Sequence, residues 1–84
     1  MPATREKIGE FLTSDLWTPS EKFVIKWQFR LLGDFHGALI DCIKRADERN
    51  MERLAEGFPT EVDGFRQWAY GDLGTRLREA GLEI

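Results

Sequence analysis

The stretch 18–46 constrains this chain more than any other part of it. It opens with Thr18-Pro19-Ser20-Glu21. Thr18 can cap a helix with its hydroxyl, Pro19 suits the first helical position, and Glu21 can reach back as the other half of a capping box. At about 100° per residue, Val24, Trp27, Leu31, Phe35, Ala38, Leu39, Cys42 and Ala46 fall on one face, and Ile25, Phe29, Leu32, Ile40 and Ile43 widen it. The apolar arc spans roughly 220°, against the roughly 100° that a surface helix needs. Lys26, Arg30, Gly33, Gly37, Asp41 and Lys44 share the remaining stripe. The phase is kept from end to end, so the pattern predicts one long helix over about 19–46. The alternative is a break at Gly33-Asp34, with Asp34 capping a second helix.

The flanking segments are shorter. The stretch 4–12 carries Ile8, Phe11 and Leu12, and Thr13-Ser14-Asp15 reads as loop. The chain turns around 47–50. The stretch 51–56 presents Met51, Leu54 and Ala55, and Gly57 is expected to end it as a left-handed cap. Pro59 opens a helix with Val62, Phe65, Trp68 and Ala69 on one side, closed by Gly71. Asp72 caps a last helix carrying Leu73 and Leu77, which Gly81 stops. No segment alternates as a strand does. The expected fold is all-α: a single domain over 1–84, a small helical bundle in which one long central helix is wrapped by about four short ones. So wide an apolar arc needs cover on several sides. Either the short helices supply it or a second copy of the chain does, which makes a homodimer an expectation.

Composition limits the function classes. A chain of 84 residues buries only roughly 60% of its unfolded surface, so its six Phe, three Trp and one Tyr must supply much of the core. Twelve Lys and Arg face fifteen Asp and Glu, for a net charge of -3. A duplex binder shows an excess of positive charge, so nucleic acid is not the expected partner. Cys42 is the single cysteine, which excludes an internal disulfide and a cysteine-based zinc site and suits a reducing cytoplasm. The stretch 1–10 lacks a secretory pattern, and the apolar runs fall far short of the roughly 20 residues that span a bilayer. A cytoplasmic protein without membrane contact is expected.

Few residues invite chemistry. His36 is the only histidine. It lies at the edge of the arc, about 120° from Cys42, so the two cannot pair within one helix; a packed histidine at the core margin is the expectation. Cys42 falls at the centre of the apolar face and reads as a small buried hydrophobe. Gln28 points into the arc, where a buried amide must be hydrogen-bonded. It either ties down a neighbouring helix or marks contact with a second chain. Gly33 and Gly37 have the spacing that admits a close backbone, or they mark a bend. Arg45, Arg49 and Arg53 interleave with Glu48, Glu52 and Glu56, which reads as a solvated face laced with weak ion pairs. Arg66-Gln67-Trp68-Ala69-Tyr70 is the densest run of residue types favoured at binding hot spots. Arg66, Trp68 and Tyr70, with Gln28, are therefore the candidate partner-binding residues. No catalytic, metal or cofactor constellation is expected.

Lys26-Trp27-Gln28-Phe29, Gly33-Asp34-Phe35, Ala38-Leu39, Ile43-Lys44-Arg45-Ala46-Asp47, Asn50, Leu54 and Gly57-Phe58-Pro59-Thr60-Glu61-Val62 form a pattern over about half the chain. It resembles a set of small proteins from bacteriophages and integrated mobile elements. Met51 stands where that set leads one to expect leucine. The resemblance implies an accessory protein of a bacterial cytoplasm. Such proteins often bind host proteins, defence systems such as CRISPR effectors among them. The expected function is a non-enzymatic protein-interaction module. The alternative is a nucleic-acid-associated protein using Lys22, Lys26, Arg30, Lys44 and Arg45 as a basic stripe along the central helix.

Overall fold

The computed structural model describes residues 4–84. Residues 1–3, the start of the stretch that lacks a secretory pattern, lie outside the described residues. Among the described residues there are six helices and no strand: α1 (Arg5–Thr13), α2 (Pro19–Gln28), α3 (Asp34–Arg45), α4 (Glu48–Gly57), α5 (Pro59–Ala69) and α6 (Leu73–Glu79).

Local chemistry explains most of the starts. Thr4 Oγ1 accepts the Lys7 N–H at 3.2 Å and opens α1. The capping box of α2 is complete: Glu21 N–H donates to Thr18 Oγ1 at 3.2 Å, and Thr18 N–H donates to Glu21 Oε1 at 2.7 Å. Asp47 Oδ1 accepts the Asn50 N–H at 2.8 Å and opens α4. Phe58 both ends α4 and precedes α5, because Pro59 has no N–H with which to continue the first helix but suits the start of the second.

The long central helix over 19–46 is not formed. Leu31 N–H donates to the Lys26 carbonyl at 2.7 Å, and Arg30 N–H donates to the Trp27 carbonyl at 3.1 Å. Arg30 has φ of 58°. These bonds are a Schellman closure, with arginine in the left-handed position that glycine usually takes. The same closure ends α6, where Leu82 N–H reaches the Leu77 carbonyl at 3.0 Å and Gly81, φ 102°, reaches Arg78. Hydrophobic phase records which side chains are apolar; it does not record where carbonyls fold back on their own chain. The break thus begins earlier than Gly33-Asp34. Gly33 is the N-cap of α3, without a side-chain bond, and Asp34 lies in the first turn, where its charge suits the helix dipole. Gly57 also departs from expectation. It is the last residue of α4, and positive φ among the described glycines is confined to Gly81.

The centre of the fold is α5, which packs on α2, α3, α4 and α6. Two core clusters flank it. In one, Ile8 and Phe11 meet Val24, Ile25, Leu73, Leu77 and Leu82; in the other, Phe23 and Leu39, Ile40 and Ile43 meet Met51, Val62 and Phe65. Each fully buried aliphatic side chain stabilises the fold by roughly 1.5–3 kcal/mol relative to exposure. Half-buried Trp27 packs against both clusters, with its ring 6.1 Å from Phe65 and 6.2 Å from Trp68.

The close backbone approach is made at Gly64, not at Gly33 or Gly37. A Cβ added at Gly64 would stand 2.6 Å from the Ser20 carbonyl oxygen, whereas one added at Gly33 or Gly37 would meet nothing within 4 Å. The bareness of Gly64 lets α5 lie against α2.

A polar clamp ties α6 to this pair. Arg76 donates to Glu21 Oε2 at 2.6 Å, to Asp72 Oδ1 at 3.0 Å and to Gln67 Oε1 at 2.9 Å. Gln67 in turn donates to Asp63 at 2.8 Å. Burial by itself pushes the Glu21 carboxyl up, but the Thr18 backbone N–H and the Arg76 guanidinium together hold it below its ordinary value. Asp72 is the N-cap residue of α6 by position, yet its carboxylate is spent on Arg76 and not on a helix N–H.

Candidate functional site

The wide apolar arc is covered on one side only. On α3, Leu39, Ile40 and Ile43 are buried against α5, while Phe35, Ala38 and Cys42 are exposed. Phe35 is 61% exposed, and Leu31 in the preceding turn is 53% exposed. The period explains the split. Phe35, Ala38, Cys42 and Arg45 recur at steps of three and four residues along a flank that α5 does not reach.

That flank forms one wall of a trough of about 630 Å³ between α3 and α4. Ala38, Cys42, Ala46 and Leu54 give it an apolar floor. Asp41 and Arg45 from α3, with Asn50 and Arg53 from α4, give it a polar rim. The two helices are joined at one end through Ala46 and Asp47. At the other end Phe35 meets Phe58, with ring centroids 5.9 Å apart. Between these ends they pack mainly on α5 and scarcely on each other. Asp41 Oδ1 lies 3.9 Å from Lys44 Nζ. Arg45, Arg49 and Arg53 have no carboxylate at ion-pair distance among the described residues. The expected lacing with Glu48, Glu52 and Glu56 is therefore absent there, and Cys42 is exposed, not buried.

The four candidate partner-binding residues are dispersed. Arg66 and Tyr70 share a depression of about 310 Å³ with Ala46, Asp47, Glu48 and Met51. Tyr70 is 78% exposed, and its ring stands edge-on to Phe65 at 6.1 Å. Trp68 lies elsewhere, half-buried against the first core cluster and beside Gly74 and Arg78. Gln28 is half-buried at the end of α2, and no side-chain hydrogen bond joins it to another described residue. The trough itself went unseen in the sequence, because its residues were divided between the supposed core (Ala38, Cys42, Ala46) and a supposed solvated face (Arg45, Arg53). A usable signal was present: three small residues at four-residue steps cannot fill a core seam that bulky neighbours would.

His36 is exposed at the rim of a second depression of about 310 Å³, which Lys22, Lys26, Leu32, Thr60 and Glu61 also line. Its Nε2 lies 3.7 Å from Glu61 Oε2, and its ring meets Phe23 and Phe35 edge-on. The turn at 29–33 divides the basic stripe: Lys22 and Lys26 line this depression, and Arg45 lines the trough. No group of three or more His, Cys, Asp or Glu side chains is placed to hold a metal among the described residues, and no described helix is long and apolar enough to cross a membrane. Compared with family models, curated proteins and solved structures, the chain matches none.

Proposed function

We propose that this chain is a non-enzymatic protein-interaction module. The observation that carries the reading is the half-covered α3: Phe35, Ala38 and Cys42 continue the apolar arc onto the surface and line or adjoin an open trough. Exposed apolar area rimmed by polar groups is the usual mark of a protein contact. The pattern ending in Gly57-Phe58-Pro59-Thr60-Glu61-Val62 supports a setting among the accessory proteins of a bacteriophage or mobile element. An inhibitor of a host defence complex is one version of that setting, in the cytoplasm of a bacterial cell.

The test is capture followed by reconstitution. Tagged protein is expressed in a bacterial host, the retained protein is identified and purified, and its affinity is measured against wild type and Phe35→Glu. The expected result is a stoichiometric complex that Phe35→Glu weakens. A chain that retains nothing and stays inert at high concentration would end the proposal.

A further inference from the structure

We infer that the α3–α4 trough receives a single amphipathic helix of a partner protein, apolar on its buried side and bearing carboxylates that pair with Arg45 and Arg53. The inference rests on the interaction-module reading and adds the place and the chemistry. Shape is the first argument. Ala38, Cys42 and Ala46 step along α3 over about 12 Å at 1.5 Å per residue, the length of two helical turns. Their small side chains leave room for another helix at the roughly 8–10 Å axial separation of packed pairs. Both ends of the trough are bounded, by the Ala46–Asp47 joint and by Phe35 against Phe58.

Charge is the second argument. The chain as a whole is acidic, with net charge -3, yet this rim is locally basic. Asp41 already faces Lys44 at 3.9 Å, while Arg45 and Arg53 face no carboxylate among the described residues. A guanidinium is a rigid fork that takes a carboxylate with two parallel bonds. Phosphate backbones are a poorer fit, because a groove for single strands uses aromatic platforms between its basic residues, and this floor is aliphatic. An apolar stripe with acidic flanks matches both floor and rim, in the helix-in-groove manner.

The experiment selects short helical peptides from a displayed library, randomised on one face and both flanks, against the full chain. Selected peptides are titrated by amide chemical shift into wild type, the Arg45→Glu/Arg53→Glu double variant and an Arg5→Glu control on α1, which does not line the trough. All three substitutions are at exposed positions, and circular dichroism verifies the fold. The expected peptides carry Asp or Glu beside an apolar stripe and shift amides around Cys42. They lose about tenfold or more in affinity to the double variant and keep it with the control. Neutral or basic winners, shifts centred elsewhere, indifference to the charge reversal, or no enrichment each overturn the inference. A dimer in sedimentation that the double variant dissolves also overturns it, because the occupant is then a second copy. If the captured partner still binds the double variant fully, the trough is refuted while the interaction-module reading stands.

Discussion

At the scale of single residues, four positions make the local backbone and packing testable. Arg30 holds a left-handed conformation, φ 58°, that costs a non-glycine residue about 1–2 kcal/mol. Arg30→Gly removes that strain while adding freedom to the unfolded chain, so a net gain of about 0.5–1 kcal/mol in urea denaturation is expected. No gain would mean that the turn does not hold Arg30 in that region. Gly64→Ala works the other way. Helix propensity favours alanine by about 1 kcal/mol, but the new Cβ would stand 2.6 Å from a backbone carbonyl, and forcing the helices apart costs about 1–3 kcal/mol. Gly37→Ala, with nothing within 4 Å, has only the propensity term and is expected to stabilise by about 0.5–1 kcal/mol. Opposite signs for these two glycines test the packing directly. Cys42, being exposed, is expected to react with a thiol reagent in the native state about as fast as in the denatured chain; protection would return it to the core.

At the scale of elements, the clamp from α2 to α6 is the interaction most open to test. Glu21 is buried, and its carboxylate joins the α2 capping box to Arg76. Its native pKa lies below the ordinary value. A depressed native pKa means that the contribution is fully present above the unfolded pKa and is lost as pH falls through the native one. Urea denaturation from neutral pH into the acid range is therefore expected to show wild type losing stability more steeply than Glu21→Gln. At neutral pH the variant is expected to be weaker by about 1–2 kcal/mol, a figure held down because the partly exposed guanidinium is screened by water. Parallel acid profiles for the two proteins would show that Glu21 is not the titrating group.

At the scale of the whole molecule, Trp27 joins what would otherwise be two small cores on either side of α2 and α5. Trp27→Ala is expected to cost about 3 kcal/mol, the low end for a large aromatic because the ring is only half-buried. The two cores are expected to lose their common transition as well. Fluorescence from the remaining tryptophans, Trp17 and Trp68, should then depart from the helical signal during unfolding, as it does not in a two-state protein. A cost below about 1 kcal/mol with coincident transitions would mean that α2 and α5 hold the halves together without it.

The sequence by itself determined what depends on near neighbours in the chain. The all-helical class, the Thr18–Glu21 capping box, the Pro59 start and the Gly81 stop all rest on contacts within about four residues. Burial of Leu39, Ile40, Ile43, Val62 and Leu77 followed from periodicity for the same reason. The rest appeared only in the folded chain. The place of α5 at the centre and the close approach at Gly64 depend on which distant segment lies opposite. The break at Arg30 and the Asp72–Arg76 bond are local, but a hydrophobic period records neither a carbonyl that folds back on its own chain nor the partner a carboxylate takes. The stretch 18–46 marked an arc too wide for one neighbour. Only the packing of α4 and α5 showed which part stays covered and which part, at Phe35, Ala38 and Cys42, faces out.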